Sequence, residues 1–138
     1  MNTLVIDASA ALAYIEQADV RGMLVAETIG EALGEGGALA LPALAAAVVY
    51  GQYDPRRNER LGALVLHAKV LPAVDWDLLP STLPLVGGSL HRADAVLATL
   101  RLREDTYDDD LAALLSAEPE AYGVLADDPR LILPLEWS

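Results

Sequence analysis

The chain has 138 residues, and 54% of them are hydrophobic, so it is long enough to form one domain with its own core. It contains no cysteine, which excludes disulfides and thiolate metal sites. With 9 basic and 21 acidic residues the net charge is −12, which opposes long-range attraction to nucleic-acid phosphates, so nucleic-acid binding would have to be local or assisted by a metal ion. No apolar run approaches the roughly 20 residues that span a bilayer, and no basic N-terminal segment precedes an apolar one, so we expect a soluble cytoplasmic protein without membrane contact.

The first element is a short apolar run that ends in a carboxylate. Leu4, Val5 and Ile6 form an uninterrupted apolar triplet, typical of a strand that is buried on both faces of a parallel sheet. Asp7 follows directly, and Ser9 is a suitable cap for a helix over residues 10–16. Ligands of open α/β sheets bind beyond the carboxyl ends of the strands, so Asp7 is a site candidate by position. The alternative is that Asp7 is only a turn and cap residue.

Alternating helical and strand patterns continue through the first half of the chain. The patterns predict a helix at 19–33, a strand at 38–41, a helix at 43–50 that opens after Pro42, a helix at 56–67 and a strand at 69–74. This order of elements is typical of strand–helix–strand units with parallel strands.

The second half continues the same alternation and contains the remaining acids. The patterns predict a helix at 90–103, an acidic run at 108–110 that begins a helix at 111–117, a strand at 123–126 and an edge strand at 131–135. The strand at 123–126 ends in Asp127 and Asp128. We therefore expect residues 1–138 to form a single three-layer α/β domain, with a short central parallel sheet of four or five strands and helices on both faces.

Carboxylates from separate elements are predicted to meet at one end of this sheet. Asp7 and Asp128 follow strands, and Asp108 or Asp110 begins a helix. Acids that lie close together repel one another unless a divalent cation joins them, and Mg²⁺ or Mn²⁺ prefers oxygen ligands. A cation held in this way can activate water and neutralise charge on a phosphate, which would let an acidic protein act on a polyanionic substrate.

Three stretches of the sequence resemble blocks of the PIN domain family, which includes the VapC-like toxins of bacterial-type toxin–antitoxin pairs. They are VIDASA at 5–10, LPAL at 41–44 and VLADDP at 124–129. The resemblance implies a PIN-like fold and, in active members, cleavage of single-stranded RNA by an endoribonuclease that depends on Mg²⁺ or Mn²⁺. It also implies an antitoxin or other protein partner and a possible homodimer.

Carried onto this chain, the resemblance places the first acid at Asp7, with Ser9 as a hydroxyl that supports it, and the last acid at Asp128. PIN nucleases have a glutamate on the helix after Pro42, and its position here falls on Val48. No acid occurs in that helix. Because Mg²⁺ keeps several waters and needs only one or two carboxylates, this loss weakens an enzymatic function without abolishing metal binding.

The third acid of the resemblance has more than one candidate. Asp94 matches the local sequence of the helix, but a further helix is predicted between it and the next strand. Asp108 or Asp110 leads directly into that strand. We take Asp108 as catalytic together with Asp7 and Asp128, and keep Asp94 and Asp110 as alternative metal ligands.

Two functions from different classes follow from these patterns. In the first, Asp7, Asp108 and Asp128 hold Mg²⁺ or Mn²⁺, whose bound water attacks an RNA phosphodiester. In the second, the site is degenerate, and the chain is a catalytically silent PIN-like scaffold that binds or regulates a protein partner. The missing glutamate and the charge of −12 favour the scaffold, whereas the retained acids favour the ribonuclease.

Overall fold

Short apolar runs become the strands of one parallel sheet. The computed structural model describes residues 3–105, 112–127 and 132–133. The strands are β1 (Thr3–Ile6), β2 (Ala38–Pro42), β3 (Ala68–Leu71), β4 (Ala112–Leu115) and β5 (Ile132–Leu133). They lie in the order β3-β2-β1-β4-β5, and each of these neighbouring pairs is parallel.

Helices occupy the connections between the strands. The α-helices are α1 (Ala8–Glu16), α2 (Val20–Gly34), α3 (Ala43–Gln52), α4 (Glu59–His67), α5 (Leu79–Thr82) and α6 (Leu90–Asp105). Among the described residues, two segments are 3-10 helical, Leu83–Val86 and Pro119–Asp127, and the second is kinked at Gly123. Within the described ranges, no helix is both long and apolar enough to cross a membrane.

Successive side chains of the strands alternate between two cores, as the period of a strand requires. Leu4 and Ile6 of β1 enter a core formed with α1, α2, α3 and α4. Val5, between them, enters a second core formed with α5, α6 and Tyr122. The sheet is therefore the middle of three layers, and the predicted α/β fold with helices on both faces is confirmed.

The strand order brings the carboxyl ends of β1 and β4 together at the point where the chain changes direction across the sheet. From β1 the chain adds β2 and then β3 on one side, and it then crosses to β4 on the other side of β1. Asp7 follows β1, and its backbone N–H donates to the Leu115 carbonyl at the end of β4, at 3.2 Å. Such a switch point is where open α/β sheets form a ligand-binding crevice.

Two predicted elements near the end of the chain are wrong. The helix predicted at 111–117 is strand β4 over Ala112–Leu115, and the strand predicted at 123–126 lies within the 3-10 segment Pro119–Asp127. Both stretches are short apolar runs, whose length does not distinguish a helix from a buried strand. The predicted strand at 69–74 is shorter than expected, since β3 ends at Leu71.

The strand at 112–115 bears on which residue is the third acid. Because residues 112–115 are a strand, α6 is the last described helix before β4. Asp94 therefore lies on that helix without the further helix that was predicted after it. The topological reason for preferring Asp108 or Asp110 over Asp94 no longer holds.

Candidate functional site

Asp7 is buried at the switch point, where β1 gives way to α1. It is the N-cap of α1, with an extended backbone, and only 1% of its surface is exposed. Its Oδ1 atom accepts a hydrogen bond from the Ala10 backbone N–H at 2.8 Å. Asp7, and not Ser9 as predicted, is therefore the residue that caps the helix.

Both oxygens of the Asp7 carboxylate accept hydrogen bonds from side chains. The Ser9 hydroxyl donates to Oδ1 at 2.7 Å, in addition to the Ala10 N–H. The Tyr122 hydroxyl donates to Oδ2 at 2.6 Å, and Tyr122 is 0% exposed. Burial, and then the neighbouring charge of Asp7, raise the pKa of Tyr122 far above its ordinary value, so this hydroxyl keeps its proton and remains a donor.

Ser9 connects Asp7 to the segment that follows β4. Its Oγ atom lies 3.1 Å from Ser116 Oγ and accepts from the Ala117 N–H at 3.1 Å. Since the single Ser9 hydroxyl proton is donated to Asp7, Ser116 is the donor between the two serines. Ser116 Oγ in turn accepts from the Glu118 N–H at 3.0 Å. Ser9 thus holds the ends of β1 and β4 together, beyond its expected role of supporting Asp7.

Glu118 is an acid that sequence reasoning missed, and it is neutralised by an arginine. It lies just beyond β4, beside the strand that carries Asp7, and its Oε2 atom accepts from Arg92 Nη2 at 2.8 Å. Arg92 belongs to α6 and is preceded by His91. Burial, and then the charge of Arg92, lower the pKa of His91, while the charges of Asp7 and Glu118 oppose that shift.

Asp94 has partners different from those of Asp7. It is 1% exposed, and its Oδ2 atom accepts from the Leu44 backbone N–H at 3.0 Å, in the first turn of α3. Burial raises the pKa of Asp94, against the effects of this hydrogen bond and of the Arg101 charge. Asp94 therefore accepts a hydrogen bond from the first turn of α3, which follows β2. The hydrogen-bonding partners of Asp7 come instead from α1 and the segment after β4.

The other predicted acids cannot be placed in the site. Asp108, Asp110 and Asp128 lie outside the described residues. Val48 of α3, where the resemblance to PIN domains predicts a glutamate, is half-buried and packs against the core that α1, α2, α3 and α4 share. Within residues 3–105, 112–127 and 132–133, no group of three or more His, Cys, Asp or Glu side chains is placed to hold a metal ion.

Hydrogen-bond donors of the chain compete with an Mg²⁺ or Mn²⁺ ion for the Asp7 carboxylate. The Tyr122 hydroxyl on Oδ2 and the two donors on Oδ1 take three of the roughly four acceptor positions of the Asp7 carboxylate, so a cation would have to compete with them. Glu118 already has a cationic partner in Arg92, and Asp94 accepts from the Leu44 backbone N–H through Oδ2. A hard divalent cation requires carboxylate oxygens with open lone pairs, and the three donors around Asp7 leave that carboxylate few of them.

The sequence contained two signals for the residues that reasoning missed. Glu118 follows Ser116 by two residues, and Ser9 follows Asp7 by two, so each strand end carries a serine and an acid in close succession. Tyr122 is a tyrosine in a chain that has no phenylalanine, within a segment otherwise rich in small residues. Both signals depend on residues 112–115 forming a strand, which the sequence does not predict.

Comparison with known proteins adds no family. No protein-family model matches this chain, and no curated protein matches it. The resemblance to PIN domains therefore stays a prediction based on three short stretches. The strand order and the hydrogen bonds around Asp7 are observations that do not depend on it.

Proposed function

We propose that this chain is a PIN-like domain whose acidic site is closed to divalent cations, and that it acts as a catalytically silent scaffold that binds a protein partner. The observation that carries the proposal is the Asp7 carboxylate, which is 1% exposed and accepts hydrogen bonds from Ser9, Ala10 and Tyr122. A buried carboxylate that accepts three hydrogen bonds from the protein has partners for both of its oxygens without a metal ion.

A metal ion that replaced the Tyr122 hydroxyl would disrupt the hydrogen bonds around the Asp7 carboxylate. The Tyr122 hydroxyl lies 2.6 Å from Oδ2, in the short range of hydrogen bonds to a charged acceptor, and its ring is packed in the core that includes Leu114. Moving the ring away would expose apolar surface and leave the hydroxyl without this partner. The apolar Val48, where an active PIN domain would have a glutamate, offers no replacement ligand.

Exposed apolar side chains offer contact area for a partner. Met23 on α2 is 65% exposed, Trp76 is 62% exposed, and Leu66 on α4 is 82% exposed. Tryptophan and methionine are enriched at protein interfaces. Because the chain carries a net charge of −12, a partner with net positive charge is attracted at long range.

The partner is tested by copurification of the tagged chain from its native host, with Met23→Glu and Trp76→Glu as comparison variants. We expect a basic protein at fixed stoichiometry with the unaltered chain, released at high salt, and lost from one of the two variants. Retention of the same protein by both variants would place its binding site elsewhere on the surface. Absence of any stoichiometric protein would remove the binding part of the proposal.

The closed site is tested by thermal melting with and without about 5 mM MnCl₂. A ligand that binds only the folded chain raises the melting temperature by mass action. We expect the same melting temperature in both conditions for the unaltered chain. A rise with MnCl₂ that disappears in the Asp7→Asn variant would overturn the proposal.

A metal-dependent endoribonuclease is the second candidate function. The position of the acids favours it, because Asp7 and Glu118 follow adjacent strands and Asp94 lies on the helix that precedes β4. In that case Asp7 would hold Mg²⁺ or Mn²⁺ together with acids among Asp108, Asp110 and Asp128. Its signature is Mn²⁺-dependent cleavage of single-stranded RNA that is lost in Asp7→Asn.

A further inference from the structure

Trp76 and Leu78 present apolar surface on a turn between β3 and α5. Trp76 is 62% exposed, and Leu78, two residues further along, is 52% exposed. Both belong to the turn over residues 75–78, which leads into α5. Tryptophan is among the residues that most often dominate the binding energy of an interface, since its ring offers a large contact area with few rotatable bonds. The 75–78 turn therefore offers an aromatic anchor to a partner.

The 75–78 turn is fixed by its own backbone and by α6. The Leu78 backbone N–H donates to the Asp75 carbonyl at 3.0 Å. The Arg101 guanidinium of α6 donates to the Asp75 carboxylate at 2.8 Å and to the Ala73 carbonyl at 3.3 Å. A surface that is ordered before binding loses less conformational freedom when a partner docks, so this turn is well prepared for contact.

The 75–78 turn also carries one unbalanced negative charge. Asp77 directly follows Trp76 and is exposed, and the ion pairs among the described residues do not include it. Asp75, on the other side of Trp76 in the sequence, is balanced by Arg101. The face of an indole ring attracts an ammonium or guanidinium group, and a neighbouring carboxylate adds to that attraction. The turn is thus complementary to a basic side chain.

From these features we infer that the 75–78 turn is the surface on which the basic partner docks, with a lysine or arginine side chain over the Trp76 ring and paired with Asp77. The net charge of −12 supplies the long-range attraction, and the turn supplies the contact. The exposed Met23 of α2 also has an acid at helical spacing, Glu27, but it has no aromatic face. The inference rests on the proposed function and goes beyond it by choosing between these two surfaces.

The first experiment measures binding of a fluorescein-labelled hexa-arginine peptide by fluorescence anisotropy, in about 150 mM NaCl to screen long-range attraction. We expect Trp76→Leu, which removes the aromatic face, to weaken binding by about three- to fivefold, and Trp76→Phe to weaken it less. Asp77→Asn should weaken binding by about twofold. Met23→Ala and Glu27→Gln are the matched controls on α2, and each should change the affinity by less than about 1.5-fold.

Tryptophan fluorescence locates the bound peptide. The chain has two tryptophans, so Trp76 is the only one in a Trp137→Phe background. Hexa-arginine should quench its emission in a saturable way, whereas single-stranded oligouridylate, whose bases also stack on aromatic rings, should not. Quenching by oligouridylate at lower concentrations than by hexa-arginine would overturn the inference. Equal losses of peptide binding in the Trp76→Leu and Met23→Ala variants would overturn it too.

Copurification distinguishes failure of this inference from failure of the proposed function. We expect Trp76→Glu to lose the basic partner and Met23→Glu to retain it. Loss of the partner from Met23→Glu alone, or from neither variant, overturns the inference and leaves the partner-binding function standing. Binding of hexa-arginine at Trp76 without any stoichiometric protein in the copurification overturns the proposed function alone.

Discussion

Replacing Tyr122 with phenylalanine removes one hydroxyl from the buried network and leaves the shape of the core unchanged. The lost bond is 2.6 Å long and ends on a carboxylate that is 1% exposed. A hydrogen bond to a charged group contributes about 1.5–3 kcal/mol, and the Asp7 oxygen left behind would be buried without that donor. We therefore expect Tyr122→Phe to lower the free energy of unfolding by about 2 kcal/mol.

The assay is urea denaturation followed by far-ultraviolet circular dichroism. The transition midpoint should fall while the slope with denaturant is unchanged, because the surface exposed on unfolding is nearly the same. In a thermal melt the same loss corresponds to about 6–10 °C for a domain of this size. The expected direction is the same in both measurements.

Tyr53→Phe is the matched control for this prediction. The Tyr53 hydroxyl also donates to a carboxylate, that of Glu16 at 2.9 Å, but on the exposed surface. Exposed bonds compete with water, so this variant should change the free energy of unfolding by less than about 0.5 kcal/mol. If Tyr122→Phe is no more destabilising than Tyr53→Phe, the argument that Tyr122 closes the site is refuted.

Three further predictions follow from other features of the fold. Burial raises the pKa of Asp94, so its contribution to stability is present below the unfolded pKa and is lost as pH rises through the folded pKa. Asp94→Asn should therefore gain stability relative to the unaltered chain between pH 4 and pH 7 in urea titrations, and an unchanging difference would contradict this. Burial lowers the pKa of His91, so the unaltered chain should lose stability as pH falls below about 6.5, and His91→Gln should lose less in melts from pH 7 to pH 5. A Cβ on Gly22 would lie 2.8 Å from the Ala13 carbonyl, whereas one on Gly30 of the same helix meets nothing within 4 Å. Gly22→Ala should destabilise by about 1–3 kcal/mol and Gly30→Ala should stabilise by up to about 1 kcal/mol, and similar midpoints for the two would contradict the packing argument.

The first half of the fold could be predicted from sequence because several signals agree there. The apolar triplet before Asp7 lies in β1, and the helical pattern at 19–33 is α2. The helix that begins after Pro42 is α3, as predicted. In each case the hydrophobic period agrees with a capping residue or a proline on the type of element. The alternation of Leu4, Val5 and Ile6 between two cores also follows from a strand buried on both faces.

The end of the chain could not be predicted because its signals conflict. The acids at 108–110 indicate the start of a helix, yet residues 112–115 form β4. The four residues of β4 are alanines and leucines, which favour helices by intrinsic propensity. Pairing with β1 in the middle of the sheet overrides that propensity, and no local feature of the sequence reveals such pairing.

The candidate site was predicted only in part, because β4 was not predicted as a strand. Asp7 was identified by its position after β1, and the structure places it at the switch point. Glu118, Arg92 and Tyr122 come from elements whose approach to Asp7 depends on where β4 lies. The hydrogen bond from Tyr122 to Asp7 joins residues 115 positions apart. A contact at that separation produces no repeating pattern in a single sequence.

The closed state of the Asp7 carboxylate is tested most directly by incubating the purified chain with a fluorogenic single-stranded RNA and MnCl₂, beside an Asp7→Asn preparation purified in the same way. We predict that the two preparations release fluorescence at the same background rate, and that chelation of the metal changes neither. Cleavage by the unaltered chain that requires Mn²⁺ and is absent from Asp7→Asn would contradict the proposal that Ser9, Ala10 and Tyr122 close this site.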